Sequence, residues 1–208
     1  MAYQKEGEEP QYALEGSVSI AGAAVQWLRD NLNIINESKE VESLAMSVKD
    51  NGDVYFVPAF SGLFSPHWDE TARGVLVGLS RFSNKSHIAR AVLESVAYQS
   101  YELLTSMERD TGVRFEVIKV DGGMINNNLL MQFQSDIFDR VVSSQKVQEI
   151  TALGVAAASY IFQNNLPLST MSKVISNSTA WNPNMDQQLR DKYIKKWNKA
   201  VEKSKQWT

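Results

Sequence analysis

Apolar and polar positions along the 208 residues change period several times, and each change marks an element. From Tyr12 to Ile20 the apolar side chains alternate, the period of a half-buried strand. Val25, Leu28 and Leu32 then recur at helical spacing, which predicts a helix over Ala21 to Leu32. Val54 to Phe60 and Gly74 to Leu79 are short, continuous apolar runs that read as buried strands, joined by a loop rich in glycine, proline and aromatics. Ser86 reads as the N-cap of the longest helix, because Ile88, Val92, Val96, Leu103 and Met107 follow at helical spacing. That helix should end near Gly112. Phe115 to Val120 reads as a strand, Asn127 to Phe138 as a helix with Leu130, Phe133 and Ile137 inward, and Arg140 to Ser143 as a short strand. Thr151 to Phe162 is a helix rich in Ala and Gly, whose small side chains permit close approach of a neighbour. Pro167 to Pro183 has the Ser, Thr and Asn density of a long connection, and Met185 to Trp207 is an amphipathic, basic surface helix.

Strand and helix periods in alternation predict an α/β fold, a mostly parallel sheet flanked by helices. One domain over residues 1–208 accommodates them, with 1–11 a disordered segment or leader and 185–207 the terminal helix. No internal repeat interrupts this order.

Composition removes several function classes. The formal charge of -3 comes from 21 basic and 24 acidic side chains mixed along the chain, so no face carries a nucleic-acid or membrane footprint. Without cysteine there is neither a disulfide framework nor a thiolate nucleophile, and the two histidines, His67 and His87, are too isolated to suggest a metal site. No run approaches the roughly 18 apolar residues of a membrane span, and the polar start lacks the apolar core of a secretory signal. A cytoplasmic setting is expected.

The candidate chemistry lies in Ile118 to Leu130, where a strand leaves through Gly122-Gly123 and a helix starts among Asn126, Asn127 and Asn128. A strand-to-helix turn at the carboxyl end of a strand is the usual ligand crevice of an open α/β sheet. Glycine accepts backbone angles closed to other residues and carries no Cβ to hold a phosphate or purine away from the main chain. The helix that follows would offer free amides to phosphates, and Asn127 would cap it or hydrogen-bond a base or ribose. The competing reading is an ordinary turn, since the stretch has neither the Lys and Ser/Thr of a phosphate loop nor the dinucleotide fingerprint.

A second stretch shifts that balance. Gly74-Val75-Leu76-Val77-Gly78-Leu79, then seven residues, then His87-Ile88-Ala89-Arg90-Ala91-Val92-Leu93-Glu94, resembles at every position the signature of the FGGY carbohydrate kinases. Within that family, Tyr12-Ala13-Leu14-Glu15-Gly16, Gln26-Trp27-Leu28-Arg29-Asp30, Val120-Asp121-Gly122-Gly123, Met131 to Asp136 and Thr151-Ala152-Leu153-Gly154 are similar to the carboxyl-terminal half of the glycerol kinases. The similarity is close over Tyr12 to Gly154 and looser beyond.

The resemblance implies an actin-like, ribonuclease-H-like ATPase domain, one of two that enclose a cleft. It implies ATP and Mg²⁺ as cofactors and transfer of the γ-phosphoryl group to glycerol, giving sn-glycerol 3-phosphate. Gly22 and Gln26 correspond to contacts with the nucleotide's phosphate and ribose, and Gly123 and Asn127 to contacts on the adenine side. Asn126 or Asn128 takes the role of Asn127 if the helix begins one residue off. No catalytic residue and no metal ligand is assigned here: the family's proton-accepting carboxylate, glycerol contacts and most Mg²⁺ ligation belong to the amino-terminal half. The chain is therefore expected to be an inactive fragment, meeting glycerol through that other half, and the full-length enzyme is allowed to be a homodimer.

Other residues read more plainly. Arg73 forms a salt bridge within the domain or helps close the cleft, His67 and Trp68 pack a loop, His87 is structural, and Asp121 holds the Gly-Gly turn. The alternatives are a noncatalytic nucleotide-binding module of the actin or chaperone type, another FGGY sugar kinase, or an interaction fragment using Val54 to Leu79.

Overall fold

The computed structural model describes residues 4, 6–145, 150–167, 170 and 178–208. In chain order its elements are α1 (Gly22–Asp30), α2 (Glu40–Met46), β1 (Tyr55–Val57), β2 (Val75–Val77), α3 (Lys85–Thr111), β3 (Val117–Val120), a short 3₁₀ helix (Gly123–Asn126), α4 (Asn128–Phe138), β4 (Val141–Gln145), α5 (Ile150–Gln163), β5 (Ser178–Trp181) and α6 (Gln187–Ser204). The α/β class is as expected. The strands described form two sheets, an antiparallel β1-β2 pair and a mixed β3-β4-β5 sheet with β3 and β4 parallel and β4 and β5 antiparallel, so the pairing among the described residues is mixed rather than mostly parallel.

The long α3 organises the molecule. Its buried residues run from Ser86 to Tyr98, so that half of the helix is surrounded rather than laid on a surface. β1 crosses it with every residue buried and divides the interior. Tyr55 and Val57 face one apolar cluster with Tyr98, Phe133, Ile137 and Trp197, while Val54 and Phe56 face a second with Leu28, Val41, Val92 and Leu93. Continuous apolar runs suit a strand covered on both faces, and Val54 to Phe60 is such a run.

Several expectations need correcting. Asn84, not Ser86, caps α3: its side chain accepts from the amides of Ser86 and His87 at 2.9 and 3.3 Å. Asn is as strong a cap as Ser, and two residues upstream it reaches both amides. Ser86 is instead buried and accepts a hydrogen bond from Ser47 Oγ at 2.8 Å. His87 completes the cap, accepting from the amide of Asn84, which fits its structural reading. Residues 12–20 form no strand. Alternation reports which way side chains point, whereas a strand also needs a ladder partner; Tyr12 and Leu14 are mostly exposed.

The connection from Pro167 to Pro183 contains β5, which completes the edge beside β4. Residues 168–169 and 171–177 of that connection, and 1–3 and 5 of the expected leader, lie outside the described residues. Among the described residues the close approach that the small side chains of α5 permit is not seen at Gly154, where a Cβ would meet no atom within 4 Å. α6 is amphipathic, and its apolar side buries Trp197, Ala200 and Val201 in the core while Lys196 pairs with Asp53.

Candidate functional site

α1 is seated by aromatic packing. Trp27 stacks on Phe56 of β1 with ring centroids 5.2 Å apart and planes 6° from parallel, and Gln99 of α3 donates to the carbonyl of Ile20 at 2.9 Å just before the helix. With Val25 and Leu28 buried, Gln26 is turned outward one helical turn after Gly22. Ala21 has no side chain able to cap this helix; Ala24 N donates back to Ala21 O at 3.0 Å, and the amides of Gly22 and Ala23 have no partner among the described residues.

The chain reaches α4 through two glycines of unlike geometry. Gly122 has φ 86° and ψ 177°, a region almost closed to residues with a Cβ. Gly123 then opens a single 3₁₀ turn. Asn127 is the N-cap of α4, its Oδ1 accepting from the amide of Leu130 at 2.8 Å, so the helix starts at Asn128. The preceding amide, that of Leu129, is bound by Glu42 Oε1 of α2 at 2.9 Å. Of the first-turn amides expected to be free on α4, those of Leu129 and Leu130 are therefore taken, and only that of Asn128 has no partner among the described residues. The uncapped helix start at this site belongs to α1.

These parts face one another. An open cavity of about 380 Å³ is lined by Gly22, Val25 and Gln26 from α1, by Ser38, Lys39, Val41 and Glu42 around α2, by Leu93, and by Gly123, Met124, Asn126 and Asn127. The four residues singled out from the sequence, Gly22, Gln26, Gly123 and Asn127, all border it. That volume falls in the range of small-ligand pockets. Neither glycine obstructs it: a Cβ on Gly22 would lie 3.9 Å from Met124 Sδ, and one on Gly123 would meet nothing within 4 Å. Of the neighbouring asparagines, Asn126 borders the cavity and Asn128 does not.

The α2 wall escaped the sequence reading. Seven residues give too short a periodic signal to stand out, although Val41, Leu44 and Ala45 carry one.

The other residues considered lie elsewhere. His67 Nε2 is 2.9 Å from Glu102 Oε1, a contact that ties its loop to α3. Arg73 makes no ion pair among the described residues, and its guanidinium donates to the carbonyls of Glu70 and Ala72 instead. Asp121 is exposed and has no hydrogen-bond partner among the described residues; the turn is held by its own backbone, with Ile125 N donating to Gly122 O at 3.2 Å. No group of three or more His, Cys, Asp or Glu among the described residues is placed to hold a metal ion. No helix among them is long and apolar enough to cross a membrane.

Residues 1–161 match the FGGY family of carbohydrate kinases, C-terminal domain. The chain belongs to that family. A glycerol kinase of Methylobacterium radiotolerans is 49% identical over 208 residues, covering 100% of this chain and 42% of the relative. One from Chloroflexus aurantiacus is 51% identical over 207 residues, covering 98% and 41%. The chain thus spans about two fifths of the length of the curated relatives it matches. Among solved structures, Plasmodium falciparum glycerol kinase with ADP superposes with a TM-score of 0.88 at 36% identity, covering 96% of this chain and 40% of that one. A ligand-bound xylulose kinase of Lactobacillus acidophilus reaches 0.72 at 23% identity, with 87% and 37% covered, a likeness of fold alone. The fold is the actin-like ATPase fold of these FGGY kinases.

Proposed function

We propose that this chain is the nucleotide-holding half of a glycerol kinase, which transfers the γ-phosphoryl group of MgATP to glycerol to give sn-glycerol 3-phosphate in the cytoplasm. The observation that carries the reading is the meeting of Gly22, Gln26, Gly123 and Asn127 around one cavity of about 380 Å³, from segments a hundred residues apart in sequence. Glycerol as acceptor is supported by the relatives about half identical to this chain, which are glycerol kinases.

On this reading the phosphates lie at the start of α1, where amides without a cap and the positive end of the helix suit an anion. Gln26 reaches the ribose from the same face. The adenine enters between Gly123 and Asn127, where bare main chain permits close approach, and Asn127 has an amide nitrogen to offer because only its oxygen is engaged in capping. Phosphoryl transfer depends on positioning and charge stabilisation more than on covalent help from the protein. Closure of a second domain over the cavity would exclude water, which otherwise competes with glycerol for the phosphoryl group. That domain supplies the proton acceptor and the glycerol contacts. On this reading Mg²⁺ arrives with the nucleotide's phosphates and takes its protein ligands mainly from that second domain.

Calorimetric titration of the 208-residue chain with ADP tests the reading, alongside a coupled glycerol-phosphorylation assay. Weak binding without turnover is expected. Absence of ADP binding would defeat the nucleotide assignment, and substantial turnover would show that the catalytic residues lie within this chain.

A further inference from the structure

We propose that Glu42 is a positioning residue of the nucleotide cavity: reaching from α2, it holds the first turn of α4 and so sets where Asn127 meets the adenosine end of the ligand. The inference rests on the nucleotide reading above.

The cavity is walled by α1, α2 and the turn into α4, with Leu93 of α3 also lining it. The wall that carries Asn127 is joined to α2 by the hydrogen bond from Leu129 N to Glu42 Oε1, 2.9 Å long and spanning 87 residues of sequence. Glu42 thus serves as a cap supplied by another helix. Asn127 satisfies the amide of Leu130, Glu42 satisfies that of Leu129, and the carboxylate charge suits the positive end of α4. Two consecutive amides of one turn are therefore held by two residues that both border the cavity. Without Glu42, the amide of Leu129 would turn to water, and α2 and the Asn127 turn could separate by the small displacement that spoils a binding geometry. The second carboxylate oxygen of Glu42 has no hydrogen-bond partner among the described residues, so its side chain bonds to α4 alone among them.

A merely structural role predicts a different outcome, and titration with ADP and with adenosine separates the two. In Glu42→Ala, affinity for both ligands should fall about tenfold, on the scale of one lost hydrogen bond to a charged group. Both ligands should suffer alike, because the adenosine end is common to them. Glu42→Asp, one methylene shorter, should show the same loss should the alanine variant fold poorly. Glu42→Gln keeps an oxygen for Leu129 N–H and should restore affinity to within about threefold of the parent. Asp186→Ala removes the cap of α6, where Asp186 Oδ1 accepts from Leu189 N at 3.0 Å away from this cavity. It should lower the melting temperature while leaving affinity unchanged. The inference is overturned if folded Glu42→Ala binds adenosine as the parent does, or if Asp186→Ala weakens binding equally. If the parent binds neither ADP nor adenosine, the nucleotide reading fails first and takes this inference with it.

Discussion

Tyr98 of α3 lies against Trp197 of α6, ring centroids 4.9 Å apart and planes 15° from parallel, with both side chains about 1% exposed. Phe133 of α4 meets the same tyrosine edge-on at 5.5 Å, so the stack joins three helices. Truncating Trp197 to Ala should destabilise the chain by about 3–5 kcal/mol, the range for emptying a large buried aromatic site. Trp197→Phe should cost far less, within about 1.5 kcal/mol. It keeps an aromatic ring and removes an indole N–H that has no hydrogen-bond partner among the described residues. Urea unfolding of the two variants checks both figures. An alanine variant as stable as the parent would mean that α6 adds nothing to the core.

Glu94 makes stability depend on pH. It is fully buried, with Arg90 Nε at 2.8 Å and Asn51 Nδ2 at 3.0 Å. Burial pushes its carboxyl up to about 7, outweighing the Arg90 charge and the two hydrogen bonds, which act in the opposite direction. A carboxyl whose folded pKa exceeds its unfolded value favours the folded state when protonated. Its contribution is complete below the unfolded value of about 4.5 and is lost as pH rises through about 7. The melting temperature should therefore fall between pH 5 and pH 8 on this account, and Glu94→Gln should flatten that slope. An unchanged slope in the variant would move the titration to other groups.

The start of α3 offers a smaller test. Asn84→Ala deprives the amides of Ser86 and His87 of their acceptor and should cost about 1 kcal/mol in denaturant unfolding. Ser86→Ala should act through a different loss, that of the half-buried hydrogen bond from Ser47 at 2.8 Å.

What could be read from the chain followed from how local each signal was. α1, α3 and α4 were legible because each sets an apolar stripe against a core over several turns, and Gly112 ends α3 at φ 69° as a left-handed stop should. The four cavity-bordering residues were legible through short motifs, and the fold then brought them together. Residues 12–20 were misread because pairing is not written in a strand's own alternation. α2 and β5 were missed since seven and four residues carry little periodicity. Glu42 gave no signal at all, because its partner amide is 87 residues away and any carboxylate on a solvated helix looks the same.

The paired glycines permit the sharpest separation of folding from binding. Gly122 sits at φ 86° and ψ 177°, so Gly122→Ala forces a Cβ into a region that is nearly glycine-only and should destabilise the chain by about 1–3 kcal/mol. Gly123 has no such constraint, and a Cβ there meets no atom within 4 Å. Gly123→Val should therefore leave the melting temperature nearly unchanged while placing an isopropyl group in the cavity, and affinity for ADP should fall at least about tenfold. Gly123→Ala should fall between parent and valine. Measuring melting and ADP affinity on the same preparations checks the split, because the nucleotide reading requires binding to follow side-chain size at Gly123 and stability to follow backbone strain at Gly122. Undiminished ADP binding by Gly123→Val would place the ligand away from this turn.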